Sequence, residues 1–363
     1  MCILHNLLRR TELNRIVLVT GGAGYIGSHV CKALAQSGFL PITYDNLCSG
    51  NEEAVKWGPF EHGDIRDRKR LAEVIRTYNP ASIMHFAALI QVAESVNDPS
   101  TYYDNNVHGS HCLLEEARLH GIRNMVFSST AAVYGTPDCD VISEDAQLKP
   151  INPYGHTKLA MENMIRNYAQ AYDFNTAILR YFNAAGADPE GELGTAYRKD
   201  THIIPLLMKV ASGDMDGFKI FGNDYNTPDG TALRDYIHVT DLADAHIRAL
   251  RHIMREDESL TLNIGTNQGR SVREVLDAAR HVTSKPILAE ECDRRAGDPD
   301  ILVADARSAN KVLSWHPQYS DIETIIRTAW NWRQRQTSVN GPWVEDVNPA
   351  SLQPLNVGAL RAA

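Results

Sequence analysis

The chain has 363 residues, 43% of them hydrophobic and 22% charged, which is an ordinary balance for a globular protein. Its formal net charge of −9 argues against nucleic acid or an anionic membrane as the main partner, and no apolar run is long enough to span a bilayer. The 6 cysteines form no CxxC pair and no metal-ligand spacing with histidine, so we expect reduced thiols, no metal and a cytosolic setting.

Strands and helices are predicted to alternate along the first half of the chain. Apolar runs indicate buried strands at 15–20, 40–44, 83–86, 124–127 and 176–180. A helix that ends at Gly38 follows the first run, and further helical windows are 69–78, 109–120 and 154–172. This alternation predicts an α/β fold with a doubly wound parallel sheet, the Rossmann arrangement.

The pattern changes after Asn183. Residues 184–200 indicate a long loop, and an apolar pattern returns at 237–250, which we expect to rejoin the main sheet. We therefore predict a Rossmann domain at 14–186 with a return segment near 237–265. A smaller, interleaved C-terminal substrate domain takes 187–236 and 266–336. Residues 1–13 are expected to be a frayed extension, without a signal peptide, and 337–363 a loosely packed tail.

A glycine-rich turn lies directly after the first predicted strand. Gly21, Gly24 and Gly27 have the spacing GxxGxxG and open a helix, a context that suits the pyrophosphate of a dinucleotide. Asp45 ends the second strand, where a carboxylate accepts hydrogen bonds from a ribose 2′-hydroxyl and repels a 2′-phosphate. NAD is therefore favoured over NADP.

Two further segments are candidates for contact with the same dinucleotide. Asp64 and Ile65 could receive the adenine, although a helix N-cap at Asp64 is an almost equally good interpretation. Phe86, Ala87 and Ala88 follow the next strand, and the alanines are small enough for the nicotinamide half to pass close to the backbone.

A tyrosine and a lysine lie four residues apart at the start of a predicted helix. This spacing places Tyr154 and Lys158 on one helix face. A nearby ammonium and the positive nicotinamide ring are both expected to lower the pKa of the phenol, so that Tyr154 can act as a base. Thr130, at the end of a buried strand, offers a hydroxyl that can share the moving proton. A YxxxK pair alone usually marks helix surface, but the glycine turn upstream favours the catalytic interpretation.

With these motifs the chain resembles the UDP-glucose 4-epimerases of the extended short-chain dehydrogenase/reductase family. The resemblance runs from about residue 15 to 335. The segments that carry it are TGGAGYIGSH, YDNLCSGN, HFAA, YYDNNVHG, SSTAAVYG, NPYGHTK, RYFNAAGADPEG, GTALRDYIHVTDLADAH and RRAGD.

The resemblance implies a reaction and a set of roles. Tyr154 takes the proton of the sugar 4-hydroxyl, Lys158 lowers its pKa and holds the nicotinamide ribose, and Thr130 bridges to the 4-oxygen. NAD stays bound and is regenerated in each turnover. Further cofactor contacts are implied for Tyr25, Ile26, Asn46, Asn105 and Tyr181.

The resemblance also implies a UDP-sugar site. Arg234 and Arg295 match phosphate-binding arginines, Asn183 matches a residue on the sugar phosphate, Phe221 an aromatic beside uracil, and Asp298 an acid on the ribose.

Three positions depart from the family pattern. Ile90 replaces a lysine near the cofactor that some members carry, and His202 replaces an asparagine in the sugar pocket. Leu302 replaces a tyrosine that restricts the pocket to plain hexoses. Its smaller side chain leads to the hypothesis that N-acetylhexosamines are also accepted, and a UDP-xylose/UDP-arabinose 4-epimerase is a rival interpretation.

Other classes of protein are less well supported by the residues present. A dehydratase needs an acid and a base after the threonine, and Ala131 and Ala132 occupy those positions. A non-catalytic NAD-binding regulator commonly lacks the tyrosine or the lysine, which this chain keeps. Apolar stripes on the helices at 102–119 and 154–172 either face the sheet or, as in the family, pair across a homodimer, which we predict.

Overall fold

The computed structural model describes residues 15–195, 201–295 and 298–340, with side chains to 336. The expected N-terminal extension and most of the expected tail lie outside the described residues. The strands are β1 Ile16–Thr20, β2 Leu40–Asp45, β3 Phe60–His62, β4 Ser82–His85, β5 Asn124–Thr130, β6 Val141–Ile142, β7 Asn175–Tyr181, β8 Asn183–Ala185, β9 Phe218–Phe221, β10 Leu233–His238, β11 Leu260–Ile264, β12 Gly269–Ser271, β13 Ala289–Cys292 and β14 Ile301–Ala304.

The helices complete the alternation that the sequence predicts. They are α1 Tyr25–Gln36, α2 Arg68–Tyr78, α3 Val92–Asn97, α4 Pro99–Tyr102, α5 Gly109–Leu119, α6 Pro153–Tyr172, α7 Ile203–Ser212, α8 Val239–Glu256, α9 Val272–Thr283, α10 Arg307–Leu313 and α11 Ile322–Asn340. A π-helical turn over Tyr103–His108 joins α4 to α5. None of the described helices combines the length and apolar character that a bilayer span requires.

A seven-stranded sheet in the order β11–β7–β5–β4–β1–β2–β3 forms the centre of the larger region, and its neighbouring strands are parallel. Val17 and Val19 point to one side of β1, where they pack with α1 and α8. Leu18 points to the other side and packs with α2, α5 and α6. Both faces are therefore buried, which is why these strands read as continuous apolar runs. The predicted doubly wound α/β fold is confirmed.

The helical stripes considered for a dimer face the sheet. Leu113, Leu114 and Ala117 of α5 are buried in the same core as Met161 and Ile165 of α6. Burial of this surface stabilises the single chain, so these particular side chains are not available to a second subunit.

A smaller region lies beyond the end of β7. Its sheet has the order β12–β10–β14–β6, with β8 also paired to β10, and β9 pairs with β13. Helices α7, α9 and α11 pack over it. The expected loop at 184–200 thus begins with a strand.

The expectation that residues 237–250 rejoin the main sheet is wrong in detail. Most of them form α8, which lies on one face of the large sheet, and the strand that joins the sheet edge is β11. The apolar residues of this segment recur at helical spacing, as at Leu242, Ala249 and Ile253, and the sequence analysis did not use that signal. The predicted division into two domains stays a prediction.

Candidate active site

The glycine turn lies between β1 and α1, at the carboxyl end of the large sheet. Gly21 has φ +75°, and a Cβ on it would lie 2.5 Å from the backbone nitrogen of Ala87 in the turn after β4. A Cβ on Gly27 would overlap the carbonyl oxygen of Gly21. Helix α1 begins after Gly24 with no side-chain cap, and the N-terminus of a helix suits a phosphate because its first backbone N–H groups lack partners within the helix. The turn fits the pyrophosphate of a dinucleotide.

Asp45 lies where the sequence predicts, at the end of β2 and beside the glycine turn. Its carboxylate accepts hydrogen bonds from the backbone nitrogens of Ala23 at 3.0 Å and Leu47 at 2.8 Å. Burial raises the pKa of Asp45, while these two hydrogen bonds act in the opposite direction. The carboxylate is thereby held at the turn, in the position expected of a ribose ligand.

Asp64 and Asn46 are brought together at the next strand end. The Asn46 amide donates to Asp64 at 2.9 Å, and the Arg66 guanidinium donates to the same carboxylate at 2.8 and 2.7 Å. These bonds, those from Arg66 first, hold the pKa of Asp64 below its usual range. The N-cap interpretation of Asp64 is wrong because Asp67 caps α2, accepting from the Arg70 nitrogen at 3.0 Å.

The remaining predicted cofactor residues lie in different surroundings near the glycine turn and the end of β4. The Tyr25 hydroxyl donates to the carbonyl of Gly186 at 2.7 Å. Ile65 is buried in the core, and Ile26 packs against the core on the other side of the sheet. Ala87 and Ala88 are half-buried after β4.

Aromatic side chains lie behind the same strand ends. The Phe86 ring lies 5.0 Å from that of His246, which also lies 6.1 Å from the ring of Tyr181. The Tyr181 hydroxyl forms a short hydrogen bond with Ser128. Sequence reasoning did not find His246, which lies in the middle of α8.

Tyr154 lies in the first turn of α6 and faces the end of β5. The side chain of Asn152 caps the helix by accepting from the Gly155 nitrogen at 2.9 Å. A Cβ on Gly155 would lie 2.7 Å from the carbonyl oxygen of Ala132, so glycine allows the helix to approach the turn after β5. This approach brings the Tyr154 phenol into hydrogen bonding with Thr130.

In the chain by itself the pKa of Tyr154 is raised and not lowered, and the effect expected from the nicotinamide ring stays a prediction. Burial raises the pKa of Tyr154 to about 12, and the hydrogen bond with Thr130 acts against that rise. Lys158 is not among the groups that shift it. Burial disfavours a phenolate more strongly than the nearby hydroxyl favours it, so ionisation of this phenol requires positive charge beyond what the site residues supply.

Lys158 follows one turn later and is almost fully buried. Its ammonium donates to the Ser128 carbonyl at 2.8 Å and lies 5.0 Å from the centre of the Phe127 ring. Burial lowers the pKa of Lys158 to about 7, while the negative charge of Glu162 raises it. The lysine is therefore fixed against β5 and is close to losing its charge at neutral pH.

A buried ion pair that the sequence analysis missed supports this helix face. Glu162 accepts from the Arg180 guanidinium at 2.9 and 2.7 Å and from the Ser129 hydroxyl at 2.5 Å. The pair links α6 with β5 and β7, next to Thr130. The available signal was its spacing, because Glu162 lies four residues after Lys158 and shares its helix face.

Asn106, in the π-helical turn, was also missed. Its side chain forms two hydrogen bonds with the backbone of Leu89, at 2.8 and 3.1 Å, and donates to the Thr157 hydroxyl at 3.1 Å. The predicted Asn105 lies beside it and donates to the Asn106 side-chain oxygen at 3.0 Å. The turn thus fixes the segment after β4 to α6, which is a common use of π-helical turns.

The predicted nucleotide residues form two contacting pairs. Arg234 of β10 donates to Asp298 at 2.6 Å. The Arg295 guanidinium lies 4.0 Å from the centre of the Phe221 ring. Asn183 lies in β8, opposite Tyr236 of β10.

The positions that depart from the family pattern lie around these pairs. Leu302 is the strand partner of Arg234 and packs against the cluster that contains Ala131 and Val133. His202 is exposed at the start of α7, and its neighbour Thr201 donates to the Gln91 side chain at 3.0 Å. Ile90 is half-buried before Gln91.

Comparisons with known proteins agree with this geometry. The model of the NAD dependent epimerase/dehydratase family matches residues 17–265. A UDP-glucose 4-epimerase of Rhizobium meliloti is 51% identical over 323 residues, covering 89% of this chain and 98% of the relative.

Solved structures are similar over the same extent. The UDP-glucose 4-epimerase of Brucella ovis in complex with NAD is 48% identical, with a TM-score of 0.86 over 87% of this chain and 98% of that one. The UDP-Glc/GlcNAc 4-epimerase of Campylobacter jejuni is 39% identical, with a TM-score of 0.78 over 88% of this chain and 99% of that one.

Proposed function

This chain belongs to the NAD-dependent epimerase/dehydratase family, and from that membership we propose that it is an isomerase, a UDP-glucose 4-epimerase that interconverts UDP-glucose and UDP-galactose with bound NAD. The observation that carries the proposal is the arrangement of Tyr154, Thr130 and Lys158 at the carboxyl end of a sheet that also presents the glycine turn. This chain matches relatives named UDP-glucose 4-epimerase over nearly their whole length.

The chain's residues define where NAD is held. The backbone of the turn at Gly21–Gly27 takes the pyrophosphate, Asp45 the adenosine ribose, and Asp64 with Asn46 the adenine side. Lys158 holds the nicotinamide ribose, and the Phe86 segment lines the nicotinamide half. When bound there, NAD would supply the hydride acceptor for C4 of the sugar and positive charge beside the Tyr154 phenol.

Proton movement is the task of the side chains. Tyr154 removes the proton of the sugar 4-hydroxyl as a 4-keto sugar forms and returns it when the hydride comes back. Thr130 bridges between the phenol and the 4-oxygen. Because the pKa of Tyr154 is raised in the chain alone, the enzyme depends on the positive charge of the cofactor for the phenolate.

Substrate binding is proposed for the residues around β10. Arg234 and Arg295 neutralise the diphosphate, Phe221 contacts the uracil, Asp298 the ribose and Asn183 the sugar phosphate. In the structure Arg234 is paired with Asp298 and Arg295 covers Phe221. Binding of UDP therefore exchanges these internal contacts for contacts with the nucleotide.

A second candidate substrate is the UDP-GlcNAc/UDP-GalNAc pair. Leu302 packs against apolar neighbours and carries no phenol, which favours room for a 2-N-acetyl group. A similar solved structure, that of Campylobacter jejuni, is named for activity on both kinds of sugar. UDP-xylose and UDP-arabinose would use the same machinery and form the third pair to assay.

We also propose a homodimer in the cytoplasm. The apolar stripes of α5 and α6 are buried against the sheet, but large side chains around them remain exposed, among them Tyr103, Leu119 and Tyr172. A partner helix pair would cover this surface. Light scattering coupled to size exclusion tests the proposal, and a mass of 40.4 kDa would contradict it.

The decisive experiment for the activity is direct. Purified protein is incubated with UDP-galactose, UDP-GalNAc and UDP-arabinose, and the 4-epimers are separated. We expect conversion of UDP-galactose and a bound dinucleotide released on denaturation.

Tyr154→Phe should lower kcat by at least about 100-fold with NAD content unchanged. Absence of dinucleotide together with unchanged stereochemistry in every nucleotide sugar contradicts the proposal, and an unchanged rate in the variant favours a non-catalytic role for the site.

A further inference from the structure

Tyr225 has a buried hydroxyl group for which the described part of the chain offers no hydrogen-bond partner. It lies in the loop between β9 and β10, and only 4% of the residue is exposed. The backbone around it is fixed, because its nitrogen donates to the Gly230 carbonyl at 3.0 Å and its carbonyl accepts from Thr227 at 2.8 Å. The position of the ring is therefore set by the loop.

The ring itself is held at one face and along one edge. The Arg294 guanidinium lies 4.0 Å from its centre, and a Cβ on Gly222 would overlap its edge. Arg294 is in turn paired with Asp224, the residue before Tyr225. The ring is thus packed on one face and one edge, and its hydroxyl is enclosed.

The surroundings of the hydroxyl are those of the proposed nucleotide site. Arg234 pairs with Asp298 and also donates to the Asp300 carbonyl at 3.5 Å. Burial raises the pKa of the neighbouring Tyr225 phenol. The next residue, Asn226, donates its backbone N–H to Asp300 at 3.1 Å, which ties the loop to the segment that carries Asp298. The loop that carries the phenol is thus bonded to the same residue, Asp300, as an arginine predicted to bind phosphate.

A buried hydroxyl without a partner costs free energy comparable to that of a lost hydrogen bond. Phenylalanine would fill the same space without this cost. The cost is recovered if a bound group accepts the hydrogen bond.

We propose that the Tyr225 hydroxyl donates a hydrogen bond to a phosphate oxygen of the diphosphate that Arg234 binds. The proposal rests on the proposed function, because it assigns a further binding residue to the UDP-sugar site. Tyr225 touches the part of the substrate that does not react, so its contribution is the same in the ground state and the transition state.

The test compares the wild-type holoenzyme with Tyr225→Phe. Calorimetric titration with UDP should show affinity lowered by about tenfold, which corresponds to about 1.4 kcal/mol and lies near the range for a hydrogen bond to a charged acceptor. The KM for UDP-galactose should rise to a similar extent with kcat unchanged. In the absence of UDP, the melting temperature of the variant should be equal to or above that of the wild type, because no protein hydrogen bond is lost.

Tyr78→Phe is the matched control. Its hydroxyl donates to Glu61 at 2.6 Å, away from the site, so this variant should lose some stability and keep its affinity for UDP. Wild-type affinity in Tyr225→Phe overturns the inference, and so does a lowered melting temperature with unchanged UDP binding, which would reveal a structural partner for the hydroxyl. If the wild type itself does not bind UDP, the proposed function fails, and the inference fails with it.

Discussion

Glu162 and Arg180 form a buried pair in which two guanidinium nitrogens of the arginine donate to the two carboxylate oxygens, at 2.9 and 2.7 Å. The pair joins the helix of Tyr154 and Lys158 to two central strands. Its bidentate geometry and the third bond from Ser129 compensate the desolvation of both charges. The position of α6, which carries Tyr154 and Lys158, therefore depends on a buried ion pair.

Removing one member of this pair should destabilise the protein strongly. Glu162→Gln leaves the Arg180 charge buried without its counter-ion, and we expect the free energy of unfolding to fall by about 3–5 kcal/mol. Chemical denaturation with bound NAD measures it. The exposed pair of Arg255 and Glu256 is the control, since Glu256→Gln should leave the transition unchanged. Equal effects of the two substitutions would contradict this role of the buried pair.

His246 should make the protein less stable in mild acid. Burial lowers the pKa of His246 to about 4, so between pH 6.5 and about 4 the unfolded chain binds a proton that the folded chain does not. The contribution of His246 to the free energy of unfolding is thus fully present above pH 6.5 and is lost as the pH falls. For this one group the loss between pH 7 and pH 5 is about 2 kcal/mol. Unfolding curves at the two pH values measure the loss.

His246→Phe should reduce this acid loss, because phenylalanine fits between the Phe86 and Tyr181 rings and takes up no proton. The exposed His281 supplies the control, and His281→Phe should leave the pH dependence as it is in the wild type. If the His246 variant loses as much stability in acid as the wild type does, burial of this ring is not the cause of the pH dependence.

Lys32 should be needed to keep NAD bound. Its ammonium pairs with Asp188 at 2.9 Å, Glu190 at 2.6 Å and Glu192 at 2.7 Å, which fixes that loop to the helix that follows the glycine turn. Lys32→Met leaves these carboxylates to repel one another, and we expect a stability loss of about 3 kcal/mol and faster release of NAD. NAD content after gel filtration measures the release. A variant that keeps its dinucleotide as the wild type does would contradict this expectation.

Leu302 should influence the choice of sugar. Leu302→Tyr adds a bulky phenol, and we expect kcat/KM for UDP-GalNAc to fall by about tenfold or more relative to UDP-galactose. Leu302→Met, which conserves volume, is the control and should leave the ratio unchanged. An equal fall for both sugars in the tyrosine variant would show a general packing defect and remove the argument from pocket size.

Much of the fold could be predicted because its signals are local. Strands buried on both faces give apolar runs, and the turn at Gly21 needs glycine for its backbone conformation. The spacing of Tyr154 and Lys158 likewise follows from helix geometry. These features are properties of short segments, so a single sequence carries them.

The features that were missed depend on tertiary contacts. The raised pKa of Tyr154 results from burial beneath segments far away in sequence, and Asp64 resembles an N-cap until the contacts of Asp67 are known. Residues 237–250 mostly form a helix where the sequence analysis expected a return to the main sheet, although their apolar residues recur at helical spacing. Nothing local marks the hydroxyl of Tyr225 as unpartnered.

The short strand β6 pairs with β14, more than a hundred residues later, and the side chain of Asn263 donates to the carbonyl of Ile142 at 2.8 Å. A piece of the first half of the polypeptide is thus built into the sheet of the second half. Neither half of the chain has all the strands of its sheets when it is expressed separately. A fragment that ends near residue 186 should therefore aggregate. Both fragments expressed together should assemble by complementation.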